Sequence, residues 1–330
     1  MLKILVTGGT GYIGKKLVAK LVAQGHAVVV LTRRIPEAAA QMAGVVYVQA
    51  DISNPDEDLG KVVEGCSLVF HCAGEINIEA RMRALHVDGF QRLLNACGDL
   101  VQCSGASLHW VQLSSVGAYG SPSSATLPRV VTEDTVLAPV GEYEKTKAEA
   151  DIRLMGSHFG GRFSYTILRP SIVFGRNMPN GSVRQWAAMV KRGLFFYIGK
   201  RGAVSTYVHV GDVVDALIEC GFNPAAKEQV FNLSNDCSQE ALVNGLAAAQ
   251  GVKAPTLRMP EWVARALALV GSPLKGFPLK MSRVDALVSR TRYPADKLFN
   301  VLGFKPKQDV VSKLNEVVAY DDAAPARLGQ

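Results

Sequence analysis

The 330-residue sequence lacks the features that mark several specialised classes of protein. It has no long basic tract, because the lysines and arginines behind its formal charge of +7 are dispersed, so nucleic acid is not expected as a partner. Its six cysteines show no CxxC spacing, so we expect reduced thiols and no metal site. Residues 100–128 carry no Lys, Arg, Asp or Glu, yet their Ser, Gly and Pro content argues against a membrane span.

The short stretch before the first apolar run also limits the class of protein. The first strand begins by residue 2, which leaves no room for a leader peptide, so we expect a cytoplasmic protein. Its dispersed positive charge suits an anionic small molecule as partner. With 48% hydrophobic residues, the chain can bury one large core or two unequal ones.

A glycine-rich turn, TGGTGYIG, follows the first apolar run. Residues 4–6 are typical of a buried strand, and a helical pattern starts at Tyr12, so the glycines lie between strand and helix. There Gly8 allows a tight bend, Gly11 lets a phosphate approach the backbone, and Gly14 lets helix and strand pack closely. The turn predicts a dinucleotide site made by Gly8, Thr10, Gly11, Tyr12, Ile13 and Gly14.

Strands alternate with helical segments along most of the chain. This alternation predicts an α/β fold with a Rossmann-type, doubly wound parallel sheet and a ligand at the carboxyl ends of its strands. We assign residues 1–173 to the dinucleotide-binding domain, with 203–235 returning to it. Residues 174–202 and 236–330 are expected to form a smaller, mostly helical C-terminal substrate lobe, in which the helix WVARALALV packs into the core and the tail after Tyr320 is loose.

The end of the second predicted strand indicates the type of dinucleotide. An acidic residue there would bind the ribose hydroxyls of NAD, but this sequence has Thr32 followed by Arg33 and Arg34. A guanidinium can bind a 2′-phosphate, which a carboxylate would repel. We therefore predict NADP, with Arg33 as the main contact and Arg34 beside it. NAD stays open as the alternative, in which both arginines merely lie in a solvated loop.

The glycine pattern and a later Tyr-Lys pair carry a family resemblance. TGGTGYIG and the YxxxK pair Tyr143 and Lys147 resemble the extended short-chain dehydrogenase/reductase superfamily, also described as the NAD(P)-dependent epimerase/dehydratase family, from the first strand to about Phe304. By this resemblance Ser115, four positions before a Tyr-Gly, is the third catalytic residue, whereas Ser114 points the other way. The resemblance implies an enzyme that moves a hydride through its dinucleotide.

The Tyr-Lys spacing suits proton transfer. Tyr143 and Lys147 are at i and i+4 of one predicted helix and so share a face. A phenol has an ordinary pKa of about 10, so we expect the ammonium of Lys147, together with an oxidised nicotinamide in a dry site, to lower the pKa of Tyr143. Ser115 would hold the substrate oxygen while Tyr143 passes the proton, and Lys147 would also bind the nicotinamide ribose.

The resemblance implies further cofactor contacts. Asp51 would bond the adenine amino group with Ile52 beside the ring, although an aspartate at a strand end also suits an ordinary turn. Where the family usually has an Asn, this sequence has His86. The remaining expected contacts are Ala73 and Gly74, which lack bulk beside the cofactor, and Pro170 and Val173, which border the nicotinamide. His209 and Asp212 are expected to be structural, at a strand end and a helix cap.

The substrate is less well indicated. Sugar-nucleotide dehydratases of this superfamily have an Asp-Glu pair where this sequence has Val116 and Gly117, so dehydration is not expected. The Asn and Arg that related epimerases use for the substrate correspond here to Ile172 and Ser205. A substrate diphosphate would need other cations, and the candidates are Arg176, Arg201 and Arg292.

Several functional hypotheses remain open at this stage. The first is an NADP-dependent oxidoreductase that reduces a 4-keto sugar nucleotide or oxidises the matching alcohol. The alternatives are a sugar-nucleotide 4-epimerase, a hydroxysteroid-dehydrogenase-like or flavonoid-reductase-like alcohol dehydrogenase for an apolar substrate, and a non-catalytic NADP-binding protein. A homodimer formed through helices beside the active-site helix is an analogy of fold.

Overall fold

A computed structural model describes residues 2–122, 124–179, 181–271 and 279–319, so the tail after Tyr320 lies outside the described residues. Its strands are β1 (Lys3–Thr7), β2 (Ala27–Thr32), β3 (Val45–Gln49), β4 (Leu68–His71), β5 (Leu108–Leu113), β6 (Arg129–Val130), β7 (Phe163–Pro170), β8 (Ile172–Phe174), β9 (Tyr197–Ile198), β10 (Val204–Ser205), β11 (Tyr207–His209), β12 (Gln229–Leu233), β13 (Cys237–Ser238), β14 (Arg258–Met259) and β15 (Thr291–Arg292). Its helices are α1 (Tyr12–Ala23), α2 (Gly60–Val63), α3 (Glu79–Arg83), α4 (Phe90–Ser104), α5 (Glu142–Met155), α6 (Ser182–Lys191), α7 (Val210–Phe222), α8 (Gln239–Ala249), α9 (Glu261–Gly271), α10 (Met281–Val288), α11 (Asp296–Leu302) and α12 (Asn315–Val318).

Seven strands form the main sheet, in the order β12-β7-β5-β4-β1-β2-β3. Every neighbouring pair is parallel, which confirms the predicted Rossmann-type doubly wound sheet. The chain first builds outward from β1 to β3 and then returns to place β4 on the other side of β1. A crevice therefore opens at the carboxyl ends of β1 and β4, where such sheets bind their ligands.

The side chains of β1 pack into two separate hydrophobic cores, one on each face of the sheet. Ile4 and Val6 face one layer, which α1, α7 and α11 cover, while Leu5 faces the other layer, which α2, α4 and α5 cover. Burial on both faces explains why the strand is apolar at successive positions. The helix that bears the predicted catalytic pair, α5, is thus fixed against the sheet by its own buried residues, Ala150 and Leu154.

The rest of the chain forms a smaller region of helices and short strand pairs. Its largest core brings β8, α6, α8 and α12 together around residues that include Phe174, Leu242 and Leu314. A second cluster joins α9 to α10. The pairing of β15 with β6 and of β11 with β8 connects these elements to the segments that follow β5 and β7.

The prediction that WVARALALV packs into the core is wrong for its large side chains. In α9 the buried residues are small, Ala264 and Ala268, whereas Trp262 is 74% exposed and Val270 is 77% exposed. Small residues let α9 approach α10 closely, and the bulky ones fall on the opposite face because of the helical spacing. An apolar sequence alone does not tell which face of a helix meets a neighbour.

Two glycines at the turn after β1 are required by close backbone contacts. Gly8 has φ +66°, and a Cβ there would lie 2.7 Å from the carbonyl oxygen of Cys72, beyond β4. A Cβ on Gly14 would lie 2.1 Å from the carbonyl oxygen of Gly8. Because the obstructing atoms belong to the backbone, they cannot move aside as a side chain would. The turn therefore packs α1 directly onto the end of β1.

Substitution of Gly14 tests this packing. Although alanine is the better helix former, we expect Gly14→Ala to lower the free energy of unfolding by about 1–3 kcal/mol through overpacking. The control is Gly161→Ala, whose added Cβ meets nothing within 4 Å; it should change stability by less than about 0.5 kcal/mol. Urea unfolding measures both, and equal stabilities of the two variants would contradict the close contact.

Candidate active site

The loop after β4 lies beside the glycine turn. Thr7, at the end of β1, accepts a hydrogen bond from the backbone N–H of Ala73 at 3.2 Å. Its hydroxyl also lies 2.9 Å from Nδ1 of His71. A Cβ on Gly74 would lie 3.4 Å from Nζ of Lys147 and 3.4 Å from Nε2 of His86, so the missing side chain leaves room beside the ammonium. These small residues form a cradle that fits a dinucleotide passing over the crevice.

Ser115 begins the loop that follows β5. Its backbone is extended, and its Oγ accepts a hydrogen bond from the N–H of Gly117 at 3.1 Å, so the serine caps the turn after it. The side chain of Ser115 also lies close enough to that of Tyr143 to lower the pKa of the phenol. The preceding Ser114 is buried and donates to Asp151 at 2.8 Å. The two neighbouring serines therefore meet α5 at positions two turns apart, Ser114 at Asp151 and Ser115 at Tyr143.

Tyr143 and Lys147 lie one turn apart on α5. Tyr143 is half-buried, while the side chain of Lys147 reaches into the interior, where the residue is 5% exposed. Nζ of Lys147 donates to the carbonyl oxygen of Leu113 at 3.1 Å, at the end of β5. The structure thus brings the three predicted catalytic residues together at the carboxyl edge of the sheet.

The protein groups around Tyr143 raise its pKa. Burial raises it most, the charge of Asp151 raises it further, and the side chain of Ser115 lowers it without reversing the shift. Lys147 does not contribute a lowering, so the pKa lies above its ordinary value. The reason is physical: removing a phenolate from water costs more than one neutral donor returns. In this protein the phenol is held in its protonated form.

The ammonium of Lys147 is itself held in a dry environment. Burial lowers its pKa, whereas the negative charge of Asp151 acts in the opposite direction. A buried cation without compensation would lose its proton. The carboxylate of Asp151, one turn further along α5, is therefore part of what keeps the ammonium charged.

His86 lies behind the catalytic pair, in a π-helical turn over residues 84–89. Its Nε2 accepts a hydrogen bond from the backbone N–H of Glu75 at 2.8 Å, and its Nδ1 lies 2.9 Å from the hydroxyl of Thr146. Because Nε2 is an acceptor, the proton of the neutral ring sits on Nδ1 and is donated to Thr146. Burial, with the charge of Lys147, lowers the pKa of His86 to about 2. The imidazole thus joins the loop after β4 to α5 as an uncharged link.

The predicted 2′-phosphate contacts lie at the end of β2. Arg33 and Arg34 are both exposed, and the hydroxyl of Thr32 donates to the carbonyl oxygen of Arg34 at 2.9 Å. Burial alone would raise the pKa of Glu75, but the backbone N–H groups of residues 76–78 and the charge of Arg33 lower it overall. Arg33 therefore lies near the loop after β4, on the side of the crevice that faces β2.

The loop after β3 carries the predicted adenine contacts. Asp51 accepts hydrogen bonds from the N–H and the hydroxyl of Ser53 through one oxygen, which is the turn arrangement considered above, and Ile52 is only 2% exposed. Sequence reasoning missed Arg92 of α4, whose guanidinium donates to the carbonyl oxygens of residues 52, 54, 55 and 57. No local pattern marks it, because its partners lie about forty positions earlier.

The residues expected near the nicotinamide and the substrate lie in several separate segments of the chain. Pro170 ends β7 in a buried position, and Val173 lies in β8. The three candidate phosphate ligands lie in separate segments, and within the described residues no hydrogen bond joins any two of them. All three are exposed: Arg176 after β8, Arg201 between β9 and β10, and Arg292 in β15.

The two positions that depart from the epimerase pattern, Ile172 and Ser205, differ in their exposure to solvent. Ile172 is 37% exposed, whereas Ser205 is 5% exposed and pairs with Cys237 of β13.

His209 caps α7 by accepting from the N–H of Gly211 at 3.1 Å. Asp212 is not a cap. It accepts the backbone N–H groups of residues 307 and 308 and so fixes the chain before α12.

Neither metal binding nor a membrane span is indicated among the residues described. Over these ranges no cluster of three or more His, Cys, Asp or Glu side chains could hold a metal ion. Within the same ranges, no helix combines the length and apolarity that crossing a bilayer requires. All six cysteines are unpaired thiols.

Comparison with known proteins agrees with this site. The UDP-glucose 4-epimerase of Vibrio cholerae is 27% identical over 320 residues, covering 92% of this chain and 91% of the relative. A 4-hydroxy-2-methyl-3-oxo-4-farnesyl-3,4-dihydroquinoline-1-oxide ketoreductase of Stigmatella aurantiaca is 27% identical, covering 99% and 91%. Among solved structures, the UDP-glucose 4-epimerase of Thermotoga maritima with UDP-glucose has a TM-score of 0.70 at 22% identity, covering 97% and 98% of the two chains.

A glycine turn over a parallel sheet, with Ser, Tyr and Lys at its edge, defines a nicotinamide-dependent enzyme of the extended short-chain dehydrogenase type. The chain belongs to the NAD-dependent epimerase/dehydratase family, whose model matches residues 4–234. The predicted family and the prediction of an enzyme are thereby confirmed.

The neutral histidines of this site predict an acid-sensitive fold. Burial, with the charge of Lys147, lowers the pKa of His71 to about 3 and that of His86 to about 2, from an ordinary 6.5. Below about pH 6.5 the unfolded chain therefore binds protons that the native state does not, and stability falls as the pH decreases towards 3. Each histidine should contribute a slope of about 1.4 kcal/mol per pH unit.

The variant His86→Asn should remove one of these contributions. Urea unfolding at pH 5.5, 5.0 and 4.5 should show a shallower loss of stability than in the wild type, by about 1.4 kcal/mol per pH unit. The control is His158→Asn, which changes an exposed histidine and should keep the wild-type slope. A slope unchanged by His86→Asn would show that this imidazole is not held neutral.

Proposed function

We propose that this protein is an NADP-dependent ketone reductase, and that its substrate is a 4-keto sugar nucleotide or, in reverse, the matching alcohol. The observation that carries the proposal is that Ser115 and a protonated Tyr143 lie together, one turn from the buried ammonium of Lys147. Ser115 holds the substrate oxygen, and Tyr143 gives it a proton as it becomes a hydroxyl. The protonated state of the free phenol suits the direction of reduction.

The residues present fit a dinucleotide. A Cβ on Gly74 would enter the space beside Lys147, and Gly11 is open apart from the carbonyl oxygen of Gly8. The bound cofactor supplies the hydride. The chain's own groups would hold it: the N–H groups at the start of α1 would donate to its phosphates, and the ammonium of Lys147 would donate to its ribose and orient Tyr143. Solved relatives such as the UDP-glucuronic acid 4-epimerase of Bacillus cereus contain NAD.

Two features support a sugar nucleotide. The epimerases of Vibrio cholerae and Thermotoga maritima act on UDP-glucose, and the latter structure contains that molecule. Arg176, Arg201 and Arg292 are exposed and provide charge for a diphosphate. NADP rather than NAD favours net reduction over an epimerase cycle, in which the cofactor is regenerated.

A second candidate substrate is an apolar ketone. Ile172 exposes 37% of its surface where related epimerases use an Asn, and the buried Ser205 offers no cation. An exposed apolar side chain at an expected substrate position suits a hydrocarbon better than a sugar. The Stigmatella aurantiaca relative, whose substrate carries a farnesyl group, is a ketoreductase of this kind.

The choice of NADP is tested at Arg33. We expect Arg33→Ser to raise the Kd for NADPH by about 10- to 100-fold, the loss of one charge-assisted hydrogen bond, and to leave the Kd for NADH nearly unchanged. The matched variant Arg34→Ser should have a smaller effect. Nucleotide fluorescence titration measures all six affinities, those of the wild type and of the two variants for NADPH and for NADH. If the wild type binds NADH as tightly as NADPH, the assignment of NADP fails.

The proton-transfer role is tested at Tyr143. UDP- and dTDP-linked 4-keto sugars and steroid ketones are offered with NADPH, and oxidation of the cofactor is followed by its absorbance. For the ketone that reacts, Tyr143→Phe should lower kcat by about 10²- to 10⁴-fold while NADPH still binds, because the phenol gives a proton and does not hold the nucleotide phosphates. Undiminished turnover would refute the role. Appearance of a 4-epimer without net oxidation of NADPH would instead favour the epimerase.

A further inference from the structure

Asp151 extends the face of α5 that carries Tyr143 and Lys147. The three residues are at i, i+4 and i+8, so the carboxylate lies one turn beyond the ammonium. Asp151 is completely buried. An aspartate in a helix is usually exposed to solvent. In the interior, its carboxylate must be compensated by hydrogen-bond donors or by opposite charge.

The carboxylate connects three elements of the active site. One oxygen, Oδ2, accepts from the hydroxyl of Ser114 at 2.8 Å and from Nε of Arg169 at 2.9 Å. Ser114 directly precedes Ser115, and Arg169 directly precedes Pro170, so Asp151 ties α5 to the ends of β5 and β7. The guanidinium of Arg169 also donates to the hydroxyl of Tyr119 at 2.9 Å. Burial raises the pKa of Asp151, but a guanidinium that donates to it directly keeps it charged near neutral pH.

The other oxygen, Oδ1, is buried without a hydrogen bond within the described residues. Its compensation is therefore electrostatic, and Lys147 provides it together with Arg169. The groups that face Lys147 from the neighbouring elements are neutral: His71 of β4, Cys72 after it, and His86.

We propose that Asp151 is a positioning residue of the reaction, whose charge keeps Lys147 an ammonium and whose hydrogen bond to Ser114 holds Ser115 in line with Tyr143. The proposal rests on the proposed function, since both effects act through the residues that transfer the proton. Asp151 is assigned no contact with substrate or cofactor. It acts on the reaction through Lys147 and Ser114.

The variant Asp151→Asn removes the charge but keeps the size and one acceptor oxygen. Without the charge Lys147 loses its proton at lower pH, and Tyr143, whose pKa the carboxylate raises, also ionises at lower pH. Ketone reduction needs both groups protonated. The alkaline limb of the kcat profile should therefore move to lower pH, by about one unit or more.

The control is Asp212→Asn, which removes an equally buried carboxylate from α7 and should leave the limb in place. Ser114→Ala removes only the hydroxyl contact, so it should lower kcat without moving the limb. Ser114→Ala therefore tests whether the hydrogen bond between Ser114 and Asp151 positions Ser115, even if Asp151→Asn unfolds. Thermal unfolding establishes that each variant is folded.

A second measurement needs no substrate. In full-length protein labelled with ¹³C-lysine, the resonance of Lys147, assigned with Lys147→Met, is titrated with pH. We expect its midpoint to fall by about one unit in Asp151→Asn and to stay unchanged in Asp212→Asn. An unchanged midpoint in folded Asp151→Asn overturns the proposal, as does an unmoved limb. A shifted midpoint in a protein that reduces none of the ketones supports the role of Asp151 and refutes the proposed function instead.

Discussion

The active site depends on keeping one ammonium ion charged inside the protein. Lys147 is 5% exposed and has a single hydrogen bond to protein, to the carbonyl oxygen of Leu113, within the described residues. A direct ion pair would satisfy its charge but would also occupy its N–H groups. Asp151 acts instead from one turn away, while its own hydrogen bonds go to Ser114 and Arg169. The ammonium is thereby compensated and still free to donate to a ligand.

The surrounding residues are consistent with that constraint. A protonated histidine beside Lys147 would repel it, and both His71 and His86 are neutral because of burial and of the same ammonium. The tautomer of His86 is fixed by a backbone donor at Nε2, so the ring gives its proton to Thr146 on α5. A histidine can therefore stand where the family usually has an amide, because at this position only one acceptor and one donor are needed.

Local features of the sequence were sufficient to predict the sheet, the glycine turn and the spacing of Tyr143 and Lys147, because each depends on residues within one or two turns. The partners of Asp151 could not be predicted in this way, since Ser114 and Arg169 lie on other elements. The effect of the surrounding protein groups on the pKa of Tyr143 could not be predicted from sequence either, because it depends on burial. The exposed Trp262 failed for the same reason: exposure follows from which neighbour a helix face meets.

The residues proposed for proton transfer and those proposed for substrate recognition lie in different parts of this chain. The proton-transfer residues are fixed to the sheet by buried hydrogen bonds and a buried ion pair, so a change there affects several elements at once. The candidate substrate contacts, Ile172 and the three arginines, are exposed on short segments of the smaller region. Substitutions at exposed positions cost little stability. A family with this arrangement can therefore change its substrate without disturbing the environment of the ammonium. For this reason the site indicates the type of reaction more clearly than it indicates the substrate.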